Sequence, residues 1–328
     1  MSRFLLAVFP FLLVCLGQTR IPFLQQKQNS NSQAPGDSIV EAPFLIILGT
    51  LQDGGAPQIG CEKACCRDLY LHPDPEKKVV SLGIVDPYYQ KRFLLEATPD
   101  LPEQLRLLSK QGNFKKEKGP DGILVTHAHI GHYSGLMYLG KEAMNAKQVF
   151  IYAMPRMKTF LEQNGPWSQL VTQENIVLHE MNETQAIKLT PHLTTTPILV
   201  PHRDEYSETV GFLIEGPNKK ALFIPDIDKW EKWGASITAM IASVDYAFID
   251  GTFYDGEEIN YRDIREIPHP FITESMALFD ALPLEERQKV YFIHLNHTNP
   301  ALVSDSAPSR EIERQGFHIA RFGDKVKL

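Results

Sequence analysis

The chain has 328 residues, 43% of them hydrophobic, and a formal net charge of −7 from 33 basic and 40 acidic side chains. That length and apolar content suffice to bury one large core. The acidic balance argues against a nucleic-acid backbone as the main partner, a role that calls for a basic face. The densest basic run, Lys115-Lys116-Glu117-Lys118, is broken by an acid and reads as a solvated loop.

Arg3, the apolar run over residues 4–16 and Gly17-Gln18 have the anatomy of a secretory leader, so residues 1–17 are expected to be removed. The run is shorter than the ~20 residues of a spanning helix. The mature chain is therefore expected to be secreted or periplasmic, with no transmembrane span. Lipid anchoring at Cys15 is the weaker reading, because Val14 stands where a small residue would precede a lipidated cysteine. Residues 18–42, rich in Gln, Asn and Ser, read as a disordered linker, which leaves 43–328 as the folded domain.

Residues 44–48 form an apolar strand that runs into a turn-rich loop over 49–55. Cys61, Cys65 and Cys66 follow. Three thiols are too many for one disulfide and could instead form a small structural zinc knot, although no fourth ligand is visible. A strand is predicted over 92–97, and Leu101, Leu105 and Leu108 are spaced as on a helix, with Pro102 tolerated in its first turn. The run 122–126 then reads as a buried strand leading into His127-Ala128-His129-Ile130-Gly131-His132 and a helix over 133–139. Alternation along an extended chain puts His127 and His129 on the same side. His132 follows three residues later, and three imidazoles gathered this closely can hold a divalent cation.

Further on, a strand is expected at 149–152, a helix at 155–163 opened by Pro155, and a strand start at 175–178. Residues 209–215 and 220–224 flank Gly216-Pro217-Asn218-Lys219 as a hairpin. A helix over 230–242, strands at 246–250 and 289–294, a helix over 309–315 and a strand over 317–322 complete the chain. Two sets of strands with helices between them suggest a layered α/β protein, a two-sheet sandwich with helices outside. Several strands finish on a titratable group, where layered α/β proteins gather their chemistry: His202, Asp226 with Asp228, Asp250, and His294 with His297.

A histidine triplet, a distant histidine, an aspartate after an apolar strand and a last histidine, all at successive strand ends, resemble the metallo-β-lactamase superfamily. Within it, Leu48-Gly49-Thr50 leading to Asp53-Gly54-Gly55, then Ala97-Thr98-Pro99-Asp100, Asp250-Gly251-Thr252-Phe253 and residues 294–300 are similar to the pyrroloquinoline quinone biosynthesis protein B group. The resemblance implies an αββα sandwich, two mixed sheets flanked by helices, with metal at the sheet edges. It implies one ion on His127, His129 and His202, with Asp226 bridging to a second ion on His132 and His294. His297 is the alternative last ligand, or a supporting residue like Asp228 and Asp250.

The superfamily pattern is commonly His-x-His-x-Asp-His, and Gly131 stands at its aspartate. One tightly held zinc is therefore expected, with the second weak or absent. Asp226 becomes the nearest group to orient an attacking water. The implied activity is metal-dependent hydrolysis of a small-molecule or short-peptide ester, lactone, thioester, amide or phosphodiester. The alternatives are an iron-dependent oxidative step in quinone cofactor synthesis and a non-catalytic metal-binding protein.

Overall fold

The run over residues 44–49 is apolar at every position because both of its faces are covered. Phe44, Ile46 and Leu48 point to one side and Leu45 and Ile47 to the other, and all five are buried. In this computed structural model, which describes residues 42–328 apart from 113, 115–118, 184, 204 and 260–266, that two-sided burial recurs in strand after strand. The expected leader and all but the last residue of the expected linker lie outside the described residues.

The first sheet is built from β1 (Phe44–Gly49), β2 (Ser81–Asp86), β3 (Lys91–Leu95), β4 (Gly122–Leu124), β5 (Val149–Ala153) and β6 (Ile176–Glu180). The second contains β7 (Ile187–Thr190), β8 (Leu193–Leu199), β9 (Val210–Glu215), β10 (Lys220–Ile224), β11 (Tyr246–Asp250), β12 (Val290–Ile293) and β13 (His318–Ile319). The last strand, β14 (Lys325–Lys327), returns to the first sheet beside β1, giving the order β14-β1-β2-β3-β4-β5-β6 against β13-β12-β11-β10-β9-β8-β7. Each sheet is mixed in the same way. β1 to β3 and β7 to β10 are antiparallel meanders, whereas β3 to β6 and β10 to β13 pair in parallel. Parallel neighbours need a crossover, and the helices supply most of them.

The helices are α1 (Ala64–Leu71), α2 (Leu101–Ser109), α3 (Ile130–Tyr133), α4 (Pro155–Gln163), α5 (Trp167–Thr172), α6 (Ile237–Ala242), α7 (Ile272–Phe279), α8 (Leu284–Arg287) and α9 (Ala307–Arg314). Three apolar layers result. Leu101 and Leu108 of α2 and Met157 and Leu161 of α4 cover the outer face of the first sheet. Leu82, Ile84, Phe212, Phe223 and Phe248 fill the space between the sheets. Ile237 and Ile241 of α6, Met276 and Phe279 of α7 and Ile312 of α9 cover the outer face of the second sheet. The expected two-sheet sandwich with helices outside is the observed architecture.

Some elements differ from expectation. β2 and α1 are absent from the sequence reading. β2 contains Gly83, where a Cβ would lie 2.7 Å from a Leu108 methyl and 2.9 Å from Ile46, so close helix packing selects a residue that breaks the strand pattern. The expected helix over 230–242 is a 3-10 turn over Trp230–Lys232 followed by α6. The break falls where Ser236 caps α6, accepting a hydrogen bond from the Ala239 N–H at 3.3 Å. The expected strand over 317–322 is only the two residues of β13. The chain then turns at Gly323 (φ 86°) to cross to the other sheet. Among the described residues no helix is long and apolar enough to cross a membrane.

Phe223→Ala removes a fully buried ring from the layer between the sheets. A loss of about 3–5 kcal/mol is expected from such a truncation, read as a lowered urea midpoint with unchanged far-UV circular dichroism at low denaturant.

Candidate metal centre

The histidines are placed by backbone constraints at one edge of the sandwich. After β4 the chain stays extended, with the Val125 N–H donating to the Tyr152 carbonyl at 3.2 Å, and α3 begins once His129 is passed. His132 in α3 is fixed by a backbone exchange with the end of β3: the Ala97 N–H donates to the His132 carbonyl at 2.8 Å and the Gly135 N–H to the Ala97 carbonyl at 2.9 Å. A Cβ at Gly135 would stand 2.0 Å from the Thr98 carbonyl oxygen, so only glycine permits this approach. The expected helix over 133–139 is accordingly α3 followed by a tighter 3-10 turn over Ser134–Leu139. His202 follows β8, Asp226 follows β10, Asp250 closes β11, and His294 follows β12 in the left-handed region at φ 64°.

The structure brings these side chains into two adjoining groups. His127, His129, His202 and Asp226 form the first, and Asp53, His132, Asp226 and His294 the second; within each group the donor atoms lie within 4.8 Å of one another. His127 Nε2 faces His129 Nδ1 at 2.9 Å. Asp226 Oδ1 lies 3.6 Å from His202 Nε2. Asp226 Oδ2 lies 3.5 Å from His127 Nε2, 3.0 Å from His132 Nε2 and 3.4 Å from His294 Nε2. Donors about 2.0–2.1 Å from a common ion stand about 2.9 Å apart at right angles and about 3.4 Å apart in a tetrahedron. The observed separations span that range, and Asp226 belongs to both groups.

The far sides of the rings are held as ligands require. Thr126 Oγ1 lies 2.8 Å from His127 Nδ1. Glu96 Oε1 is 3.3 Å from His132 Nδ1 and Asp228 Oδ1 is 3.4 Å from His202 Nδ1. Asp250 Oδ1 takes the Thr252 hydroxyl proton at 2.7 Å, so at 2.9 Å it is His294 Nδ1–H that donates to Thr252 Oγ1. That leaves His294 Nε2 as a lone pair directed at the carboxylates.

Among the described residues, Asp226 Oδ1 and His202 Nε2 face each other across 3.6 Å, buried without a hydrogen bond. Such atoms call for a partner at the middle of the cluster, and an all-nitrogen-and-oxygen donor set fits a divalent ion. Burial, with His132 adding to it, pushes the His127 imidazole well below its usual range and keeps it neutral. Burial alone would raise the Asp226 carboxyl, but His294, His202, His132 and His269 together hold it well below the carboxylate range.

Asp53, Glu96, Thr252 and His269 join the site without having been singled out from sequence. Asp53 Oδ1 lies 2.9 Å from His132 Nε2 and 3.4 Å from His294 Nε2. His269 Nδ1 lies 2.8 Å from Asp250 Oδ2 and 3.3 Å from Asp226 Oδ1. Burial opposes its protonation, yet Asp250 outweighs that and raises it to about 9. Asp53 and Glu96 carried a signal of the kind used for Asp226, a carboxylate at or shortly after a buried strand, Glu96 following Leu95 of β3 directly.

His297 is a correction. It is neither an alternative to His294 nor a supporting residue of the cluster; it lies instead with Cys61, Cys65 and Cys66, the four donor atoms within 4.8 Å of one another. The fourth partner missing from the cysteine pattern thus comes from residues remote in sequence.

Residues 91–295, well over half of the chain, match the Beta-lactamase superfamily domain, and the protein belongs to that superfamily. Within it, the chain is similar to coenzyme PQQ synthesis protein B of Pseudomonas protegens. The two are 26% identical over 318 residues, which cover 87% of this chain and 100% of that protein. The Zn(2+)-bound PqqB from Methylobacterium extorquens shares the fold with a TM-score of 0.72 at 23% identity, over 87% of this chain and 100% of that one. A diphosphatase from the PhnP family shares it at a TM-score of 0.59 and 22% identity, over 88% and 98% of the two chains.

Thr252→Val keeps the buried shape and removes the hydroxyl that links His294 to Asp250. Metal affinity is expected to fall about 10–100-fold, measured by competition with a chromophoric chelator, while the thermal midpoint moves little.

Proposed function

We propose that the protein is a metal-dependent hydrolase acting on a small-molecule or short-peptide substrate. The supporting observation is the uneven exposure of the donors. His127, His132, His202, Asp226 and His294 have at most 3% of their side-chain surface accessible, whereas His129 keeps 19% and Asp53 24%. The cluster is closed on its protein side and open on one other, as catalytic rather than structural metal sites are. A zinc ion bound there would act as a Lewis acid and bring the pKa of a water towards ~7.

The chain's own groups supply the rest. Asp226 would orient the attacking water at the junction of the two donor groups. Thr252, Asp250, Glu96 and Asp228 hold the imidazoles in register. Glu205, 3.6 Å from His129 Nε2, and Tyr206, 66% exposed, stand at the open side where a substrate would enter. The relatives favour a second reading, a step in quinone cofactor synthesis, for which the same thiolate-free donors would hold iron(II). Elemental analysis of purified protein, followed by ester, lactone, thioester, amide and phosphodiester panels, separates the two. Zinc with turnover that His129→Ala abolishes in a folded protein is expected. Tightly bound iron with no hydrolysis would favour the oxidative step.

We also propose that Cys61, Cys65, Cys66 and His297 form a structural zinc site. Burial raises the Cys66 thiol, so its thiolate needs a cation nearby. Cys65 Sγ and Cys66 Sγ lie 4.0 Å apart, close to the ~3.8 Å edge of a tetrahedral zinc–thiolate site. The cobalt-substituted protein is expected to show thiolate-to-metal charge-transfer absorption that Cys66→Ser weakens and His129→Ala leaves unchanged.

A further inference from the structure

Gly131 removes a carboxylate from the histidine motif, but the space beside it is filled. A Cβ built on Gly131 would lie 2.5 Å from Asp53 Oδ1, 2.6 Å from Asp53 Cγ and 2.5 Å from Asp53 Cα. The side chain of Asp53 thus sits where a residue-131 side chain would begin. Its oxygen reaches the two imidazoles that the first group does not use, at 2.9 Å from His132 Nε2 and 3.4 Å from His294 Nε2.

The loop carrying Asp53 is held by backbone bonds around the residue that follows His294. The Leu295 N–H donates to the Thr50 carbonyl at 2.7 Å, and the Gln52 N–H donates to the Leu295 carbonyl at 2.9 Å. Asp53 and His294 are therefore fixed relative to each other before any ligand arrives.

Proton placement shows what the arrangement lacks. His294 gives its Nδ1 proton to Thr252, so its Nε2 points a lone pair at Asp53 Oδ1 and Asp226 Oδ2, the same two oxygens that His132 Nε2 faces at 2.9 and 3.0 Å. Two carboxylates and the His294 lone pair facing one another repel unless a cation lies among them. An extra proton on each ring could relieve this; a divalent ion would relieve it with one charge centre shared by all four donors.

We propose that Asp53 is the carboxylate that position 131 lacks. It closes a second divalent-metal site with His132, His294 and the shared Asp226, so the centre takes two ions per chain. This rests on reading the histidine cluster as a metal centre, and it replaces the single tight ion expected from Gly131 alone. The loop after β1 thus supplies the carboxylate that the helix side of the motif lacks.

Manganese(II) is the probe, because it favours oxygen and nitrogen donors over thiolates and so reports the histidine cluster rather than the cysteines. Full-length wild-type protein titrated with manganese should reach two ions per chain, with the exchange-coupled electron paramagnetic resonance signal of a carboxylate-bridged pair. Asp53→Gly should stop at one ion, with the hyperfine pattern of an isolated centre. Asp53→Asn keeps the shape and should weaken the second ion on the order of 100-fold, which carries the test if Asp53→Gly fails to fold.

A wild-type protein that saturates at one isolated ion, or an Asp53→Gly or Asp53→Asn variant that binds two as wild type does, would overturn the assignment. Two coupled ions without turnover of any substrate class would sink the hydrolase reading and leave this one intact. Turnover with a single ion would do the reverse.

Discussion

A single carboxylate, Asp226, lies within 3.6 Å of the imidazoles of His127, His132, His202, His269 and His294, and the site is organised around it. Its side chain is 3% accessible, too buried to remain charged without compensation. Imidazoles reach it from β4, α3, β8 and β12, and from His269 ahead of α7. Each sheet edge therefore has to be brought close enough for its strand-end residue to touch one buried oxygen pair. The backbone exchange between Ala97, His132 and Gly135 and the left-handed turn at His294 are the local means by which that happens. The protein scaffold supplies geometry, and the charge balance at Asp226 requires that geometry to be met at all its edges together.

The parallel halves of the two sheets explain why the edges can meet. β3 to β6 run parallel in one sheet and β10 to β13 in the other, so consecutive strands deliver their carboxyl ends to the same rim. Glu96 and His127 arrive from the first sheet and Asp226, Asp250 and His294 from the second. The antiparallel halves, β1 to β3 and β7 to β10, contribute mainly core, with two exceptions that matter: the loop after β1 carries Asp53, and His202 follows β8. The two sheets thus repeat one connection scheme although no repeat is visible in the residues, because the scheme constrains only burial and strand direction.

Much of this was legible in the chain. Apolar runs covered on both faces, such as 44–48 and 221–224, and titratable residues directly after them exposed both the layers and most of the cluster. What escaped did so for identifiable reasons. β2 was hidden by Gly83, selected for packing against Leu108 rather than for strand propensity. Asp53 and His269 lie in loops, where side-chain direction follows from tertiary hydrogen bonds and not from alternation. His297 was read as a partner of His294 because they are three residues apart, but the turn between them sends the two rings to different places. Gly131 was read as a loss, since a sequence shows which side chain is missing and not which remote one fills its volume.

The cysteine group and the histidine cluster are separate in space but draw on the same two chain segments. One segment runs from Asp53 through Cys61 into α1, and the other from His294 to His297. Ordering either segment costs conformational entropy, so an ion that pins both of them at the cysteines leaves less to be ordered when Asp53 and His294 close on theirs. Thermodynamic linkage makes that assistance reciprocal: whatever factor one ion contributes to the other's affinity is returned in full. With an ion at the proposed cysteine site, the thiols, one of them exposed at Cys65, would give the surroundings a chemical handle on the occupancy of a centre they never touch.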